Sequence, residues 1–407
     1  MTHPLKLGLI GTGGISRRHA ISMKDLHDRG RDGFGVTAVC DVNEAAAQER
    51  ADQFAELFGS RPTVYTDYKV LLAQEELDAV DICLPHGLHH GVTIDCLEAG
   101  RHVLCEKPLG ITIKACRLMA EAAERTGLVL STGVPHRCQP GQRAAHWVFN
   151  ESGLMGDVRS FFHSYTRPPT APANTSAPVP ERVRWRRNRL MSGGGPVLDS
   201  GFHYCDSMRY FFGGLDTVYA RALNAGGSFE EAPEDTVFVT LTFKSGVTGS
   251  WTWSLAAPGA PARNVTFYGT QGSLRDTTQT PFAIFHLFER RLGEREDGEL
   301  QTSDGKSYSM AELEQMHLDS LSADQRERLF PGGADDGFSI EIWDFLEAVR
   351  GNRSGPEVDA WGGLYSLATG DAIYESITTG DVIKVDDIIS GARSQYQDPI
   401  DAHWSIS

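Results

Sequence analysis

Apolar and polar positions change period several times along the chain, and these changes predict its elements. An apolar run from Leu5 to Ile10 leads into Gly11-Thr12-Gly13-Gly14-Ile15-Ser16 and then a segment of helical period, which predicts strand, tight turn and helix. A second apolar run, Gly35 to Cys40, ends at Asp41 before an Ala/Glu-rich stretch from Glu44 to Phe58. Short apolar runs at 79–84, 102–105 and 128–131 alternate with periodic segments at 88–99 and 112–127. Strands alternating with helices predict a doubly wound parallel sheet.

Beyond residue 139 the pattern shifts toward period two. Stretches at 158–166, 217–223, 236–243, 247–255 and 264–268 read as strands of an open, largely antiparallel sheet. Thr236 to Phe243 alternates cleanly, which suits one covered and one exposed face, and Ser245-Gly246 supplies a hairpin turn. Residues 168–181, rich in Pro, Ala, Ser and Thr, read as a loop; a basic cluster from Arg182 to Arg189 follows. The charge-rich segment 287–335 reads as an insertion with one helix from Met310 to Leu329, ended by Pro331-Gly332-Gly333. Helices at 337–350 and 361–379 resume a packed pattern, and the tail, with His403 and Trp404, reads as an intersubunit arm or a frayed terminus. The expected class is α/β, with one domain over 1–138 and a second over 139–407.

The glycine turn is the first candidate for chemistry. Gly11 permits the turn, and Gly13, with Gly14 and Ile15 opening the helix, lets backbone amides approach a pyrophosphate whose charge the helix start stabilises. Asp41, at the end of the second strand, can accept hydrogen bonds from both ribose hydroxyls and would repel a 2′-phosphate, which favours NAD over NADP. Its bland alternative is a helix cap, a role Asn43 could also fill. In such sheets ligands sit at the carboxyl ends of the strands, so Leu84, Pro85, His86, His89, Glu106 and Lys107 should line one crevice with Lys107 facing the nicotinamide.

Oxidising an alcohol requires hydride to leave carbon while a base removes the hydroxyl proton. Asp199 and His203 are four residues apart and, on a helix, about 40° apart around the axis, so a carboxylate there can orient an imidazole. Imidazole, with an unperturbed pKa of about 6.5, exchanges protons near neutrality, whereas a solvated lysine near 10.4 holds its proton. His203 is therefore the expected base, Lys107 hydrogen-bonds the reacting oxygen, and Asp199 positions the imidazole or a neighbouring hydroxyl. Lys107 as base is the alternative, and Glu106 is read as fixing the lysine. Trp185 and Arg186 lie close enough in sequence to touch substrate, Arg being suited to carboxylate or sulfonate; a solvated or subunit-bridging basic face is the competing reading.

These strings resemble the family of glucose-fructose oxidoreductase and inositol dehydrogenase (Gfo/Idh/MocA), over most of the chain. The family's Glu-Lys-Pro corresponds to Glu106-Lys107-Pro108, and its Gly-Gly-x-x-x-Asp-x-Gly-x-His to the string from Gly194 to His203. Its Pro-Asn-x-x-His appears as Pro85-His86-Gly87-Leu88-His89, a departure at His86, and Arg137 and Pro140 fit its Arg-x-x-Pro. The resemblance implies an N-terminal Rossmann domain, a C-terminal α/β domain, NAD as cofactor, and an enzyme acting on a CH–OH group of a sugar or polyol. It also implies a cis peptide near Pro108, Arg137 as a substrate contact, and a homodimer or homotetramer paired through the C-terminal sheet. Two other functions stay open: an NAD-dependent glycosidase working by transient ring oxidation and elimination, and a sugar-sensing regulator without turnover.

Composition narrows the partners. A net charge of -16 over 407 residues argues against nucleic acid, whose binding depends on Lys and Arg neutralising phosphates. No stretch of about 20 apolar residues predicts a membrane span, and no cleavable leader is visible. Seven scattered cysteines, Cys40, Cys83, Cys96, Cys105, Cys116, Cys138 and Cys205, show no Cys-x-x-Cys spacing and read as reduced thiols of a cytoplasmic protein, with no metal expected.

Overall fold

Strands that are apolar on both faces must be covered on both faces, and the first strands of this chain are of that kind. β1 (Leu5–Ile10) buries Leu7, Leu9 and Ile10 together. It pairs in parallel with β2 (Phe34–Cys40) on one side and β4 (Ala79–Ile82) on the other. With β3 (Thr63–Tyr65), β5 (His102–Glu106) and β6 (Leu130–Gly133), all parallel, the six-stranded order is β3-β2-β1-β4-β5-β6. Order reverses between β1 and β4, and a crevice at the carboxyl ends of the strands follows from that reversal. The crossovers are α1 (Gly14–Asp28), α2 (Glu44–Phe58), α3 (Tyr68–Gln74), α4 (His89–Glu98) and α5 (Ile113–Thr126). Neither β3 nor α3 was expected, each being too short to show a period.

The computed structural model describes residues 3–169, 181–224, 234–278, 285–289 and 298–407. Most of the expected loop at 168–181 and part of the insertion at 287–335 lie outside the described residues. The chain divides into two compact units, residues 1–138 with 323–364, and residues 139–322 with 365–407. The division after Cys138 sits where the two expected domains meet, but two contiguous domains do not contain the return of 323–364 to the first unit. The helix Gly337–Val349 buries Ile342, Phe345 and Leu346 in one cluster with Leu7, Leu9, Met23, Leu26 and Phe54. Period shows that such a helix has an apolar side, and does not show which core receives it.

Among the described residues of the second unit, nine strands form a mixed sheet. They are β7 (Val158–Thr166), β8 (Leu215–Leu223), β9 (Thr236–Phe243), β10 (Thr248–Ser254), β11 (Ala262–Gly269), β12 (Gly272–Asp276), β13 (Gly298–Thr302), β14 (Ser307–Ser309) and β15 (Ile383–Lys384). The order is β14-β13-β12-β11-β7-β10-β9-β8-β15, antiparallel throughout except where β7 meets β10. β9 alternates as its sequence requires: Val237, Val239, Leu241 and Phe243 face the core, while Phe238 and Thr240 face out. The helix Gly201–Phe212 covers the inner face, Tyr204 stacking on Trp251 with ring centres 4.1 Å apart. The single helix expected over 310–329 is two, Met310–Ser320 and Ala323–Leu329, because Leu321 turns to extended backbone. The tail is neither free arm nor frayed end: Asp398–Trp404 is helical, and Trp404 Nε1 donates to the Leu190 carbonyl at 2.5 Å.

One buried acid holds the string that carries Asp199 and His203. Gly195 N donates to the Tyr374 hydroxyl (2.7 Å), which donates to Glu234 Oε1 (2.6 Å), and Val197 N donates to the same oxygen (3.2 Å). Glu234 is fully buried, and burial pushes its carboxyl up to about 7 against the opposing pull of the Tyr374 and Val197 hydrogen bonds. A folded-state pKa above the usual carboxylate value means the native state holds the proton more tightly than the unfolded chain. Its stabilising effect is complete below the unfolded value of about 4.5 and is lost as pH rises through about 7. Melting temperature should therefore fall between pH 5 and 7.5, and Glu234→Gln should flatten that fall by the equivalent of about 3 kcal/mol. An unchanged pH slope in the variant contradicts this.

Candidate active site

The cofactor half is built at the carboxyl ends of β1, β2, β4 and β5. Gly11 has φ of +92°, and a Cβ there would stand 2.4 Å from the Cys83 carbonyl oxygen, so turn and close approach both demand glycine. Gly13 and Gly14 are different: a Cβ on either meets nothing within 4 Å, and both are exposed with Ile15. Gly13 caps α1 without a side-chain hydrogen bond and the first turn carries no acid, so its amides open outward, as a pyrophosphate requires. NAD fits this cradle: a dinucleotide would lie where those side chains are missing.

Asp41 braces the turn from behind. Its Oδ2 accepts from Thr12 N (2.8 Å) and Thr12 Oγ1 (3.1 Å), and its Oδ1 from Asn43 N (2.9 Å). Asn43 is the cap of α2, accepting from Ala46 N. Arg50, which sequence reasoning missed, lies beneath the same turn, 5% exposed, donating to Ser16 Oγ (3.1 Å) and the Gly13 carbonyl (3.2 Å). It places a cation behind the phosphate position; in sequence it is one arginine among the polar residues of α2.

Lys107 emerges from a buried charge network. Glu106 Oε2 accepts from Lys107 N (2.9 Å), and Glu106 Oε1 lies 3.1 Å from His19 Nε2, whose Nδ1 lies 2.8 Å from Asp81 Oδ2. Burial opposes charge on His19, yet the Asp81 carboxylate and the neighbouring Cys83 outweigh it and hold the ring well above its usual pKa. Burial likewise pushes Glu106 up, and the His19 hydrogen bond and charge, with Lys107, hold it below its usual value. Glu341, from the returning helix, completes the cluster; burial and the Glu106 charge push its carboxyl well above the usual range. His19, Glu106 and Glu341 have ligand-like spacing, but both ring nitrogens are already engaged by carboxylates, which accounts for the cluster without an ion.

Glu106 thus serves as the fixer of Lys107. The Lys107–Pro108 peptide is cis. His89, fully buried, reaches the Leu84 and Pro108 carbonyls at 2.8 Å each, tying the segments after β4 and β5 together. Leu84 and Pro85 are half-buried beside it, His86 is buried with its ring 5.8 Å from that of His89, and Arg137 is buried just beyond β6.

Asp199 and His203 belong to the second unit. Asp199 is not on a helix as expected but in the turn before one, its N–H bonded to the Gly195 carbonyl (3.0 Å); His203 is the third residue of Gly201–Phe212. Gly201 opens the helix at a close approach, where a Cβ would meet the Pro196 carbonyl at 2.9 Å and Trp251 at 3.0 Å. Asp199 pairs with Arg186, whose guanidinium lies 4.6 Å over the Trp185 ring, so Trp185, Arg186 and Asp199 form one stack. The His203 ring meets His286 edge to face at 5.2 Å, and His286 Nδ1 lies 3.1 Å from Glu289 Oε2. Neither His286 nor Glu289 was expected, although a His-x-x-Glu spacing at the edge of the charge-rich segment was there to be read.

Two family models match the chain, an oxidoreductase family's NAD-binding Rossmann fold over residues 5–134 and its C-terminal alpha/beta domain over 151–385. The 1,5-anhydro-D-fructose reductase of Ensifer adhaerens is 26% identical over 387 residues, 93% of this chain and 98% of the reductase. The D-glucoside 3-dehydrogenase of Escherichia coli (strain K12) is 30% identical over 261 residues, 60% of this chain and 68% of that enzyme. Levoglucosan dehydrogenase in complex with NADH and L-sorbose shares the fold at 22% identity, with a TM-score of 0.74 over 94% of this chain and 99% of that one. With its Rossmann half built to take NAD and its α/β half matched as well, the chain belongs to the Gfo/Idh/MocA oxidoreductase family.

Proposed function

We propose that this oxidoreductase moves a hydride between a secondary hydroxyl of a sugar, inositol or sugar derivative and NAD. His203 takes the hydroxyl proton, Lys107 hydrogen-bonds the reacting oxygen, and Asp199 positions the imidazole or a neighbouring hydroxyl. Bound NAD supplies the hydride acceptor. Gly11, Gly13, Gly14, Ile15 and Asp41 hold its phosphates and ribose, and Leu84, Pro85, His86, His89 and Glu106 shape the nicotinamide end, His89 and Glu106 by fixing main chain. The observation that carries this reading is the bracing of the Lys107 main chain by Glu106, itself bonded to His19 of the helix that follows a glycine turn with open space at Gly13 and Gly14. Named relatives acting on sugars support the substrate class.

Arg186 is already paired with Asp199, which supports a neutral polyol over an anionic one, with Trp185 and Arg137 contributing to the substrate pocket. A carboxylate at the end of β2 supports NAD over NADP. All seven cysteines are buried thiols, which supports a reducing, cytoplasmic setting. No helix among the described residues is long and apolar enough to cross a membrane. The outer face of the nine-stranded sheet exposes Phe162, Tyr219, Leu223, Phe238 and Tyr268, which supports pairing of two copies through that face as homodimer or homotetramer.

A screen of sugars and inositols with NAD and NADP should give polyol-dependent reduced cofactor, at least about tenfold faster in kcat/KM with NAD. Lys107→Ala and His203→Ala should each lower kcat by about 10² or more while the Kd for NADH changes less than threefold. Aglycone release without net NADH, or NAD binding without turnover, contradicts the dehydrogenase reading, and near-normal turnover of both variants contradicts the residue roles. Sedimentation velocity should give a dimer or tetramer; a monomer at micromolar concentration removes the sheet pairing.

A further inference from the structure

Gly193-Gly194-Gly195 stands between the short helix Arg189–Ser192 and the turn that carries Asp199, and a run of glycines has no side chains with which to hold its own shape. Two buried tyrosines, distant in sequence, set its conformation from outside. Tyr374, on the helix Ala360–Thr379, accepts from Gly195 N (2.7 Å), and a Cβ on Gly194 would come within 2.6 Å of its ring. Tyr396, in the turn before the C-terminal helix Asp398–Trp404, donates from its hydroxyl to the Gly193 carbonyl (3.0 Å). The two rings stack with centres 4.5 Å and planes 9° apart, so one pair of rings grips both ends of the glycine run.

The C-terminal turn is fastened so as to place Tyr396. Glu375, one residue on from Tyr374, accepts from Gln395 N (3.2 Å) and Tyr396 N (2.8 Å). Arg189 lies 4.1 Å over the Tyr396 ring and donates to the Tyr396 carbonyl, and Trp404 Nε1 reaches the Leu190 carbonyl. These contacts bring the turn onto the residues just ahead of the glycines. Beyond the glycines, the Gly195 carbonyl accepts from Asp199 N (3.0 Å) and the Pro196 carbonyl from Gly201 N (2.8 Å), so the placement of the glycine backbone passes to the residues on either side of His203. Tyr374 and Tyr396 are 0% and 3% exposed, which leaves neither ring open to a substrate.

We propose that Tyr396 is a positioning residue: through the Gly193 carbonyl it fixes the backbone from which Asp199 and His203 project, so that the C-terminal turn serves the reaction without touching substrate. This rests on the dehydrogenase reading above. Tyr396→Phe removes the hydroxyl and keeps the ring that stacks on Tyr374 and lies under Arg189, which separates positioning of the glycines from docking of the tail.

The test uses the full-length protein with NAD and the polyol turned over fastest in the screen. Tyr396→Phe should lower kcat about tenfold, while the KM for the polyol and the Kd for NADH each change less than about threefold and the melting temperature falls by less than about 3 °C. Adding Tyr396→Phe to His203→Ala should cost no more than about twofold in kcat beyond His203→Ala alone, because a residue that acts by placing the imidazole has nothing to place once it is gone. A purely structural hydroxyl gives a different result: melting falls and kcat, measured below the melting range, stays at the wild-type value. That result, a raised KM with kcat unchanged, or a full tenfold loss repeated in the His203→Ala background overturns the inference alone. Absence of polyol-dependent NADH formation by the wild type overturns the dehydrogenase reading and this inference together.

Discussion

Backbone amides at the start of α1 have no side chain to satisfy them and none to shield them, and the first unit is organised around that deficiency. A helix start carries partial positive charge and unsatisfied donors, which an anion relieves. The open Cβ positions of Gly13 and Gly14 give the anion room, and Gly11 bends the chain there. Everything behind the turn holds it still: Asp41 takes two hydrogen bonds from Thr12, and Arg50 reaches two carbonyls and the Ser16 hydroxyl. Hydrogen bonds to charged groups contribute about 1.5–3 kcal/mol each, enough for a shared Asp41 to matter to the turn as well as to a ribose.

A second constraint is electrostatic. Three carboxyl groups and an imidazole are buried together below Lys107, an arrangement that is stable only when charge is balanced. Against burial, the neighbouring Asp81 carboxylate raises the His19 pKa well above its usual value, which favours charge on the ring between Asp81 and Glu106, and burial raises that of Glu341, which favours its neutral form. The result at the surface is a lysine whose backbone is fixed by the Glu106 carboxylate. In the second unit the same economy appears at Glu234, a fully buried acid whose hydrogen bonds hold the Gly195–Val197 backbone ahead of Asp199 and His203.

The periods of 2 and 3.6 made most elements legible, because β1, β5, β9 and α2 bury their apolar residues in the register the sequence displays. Motif order singled out the glycine turn, Lys107 and His203 as candidates for chemistry. Other features leave no local mark. The return of residues 323–364 depends on which core accepts Phe345 and Leu346, a long-range choice. Arg50, His19 and Glu341 act through burial, and their types in sequence are those of ordinary helix surfaces. β12 to β14 are short edge strands whose pairing, more than their pattern, defines them. Asp199 was placed on a helix because spacing of four suits one; Pro196 and Gly201 instead set a turn there, and its carboxylate meets Arg186.

The account stands on the outward-facing amides of the glycine turn as the seat of the dinucleotide phosphates. Gly13→Val separates this from any structural role, since a Cβ there meets no protein atom within 4 Å and its φ of -68° suits any residue. Calorimetric titration of NADH into wild type and variant, alongside melting temperatures, is the direct measurement. The account predicts a Kd raised by about 10² or more with melting unchanged within about 2 °C. Equal NADH affinity in the two proteins would contradict it.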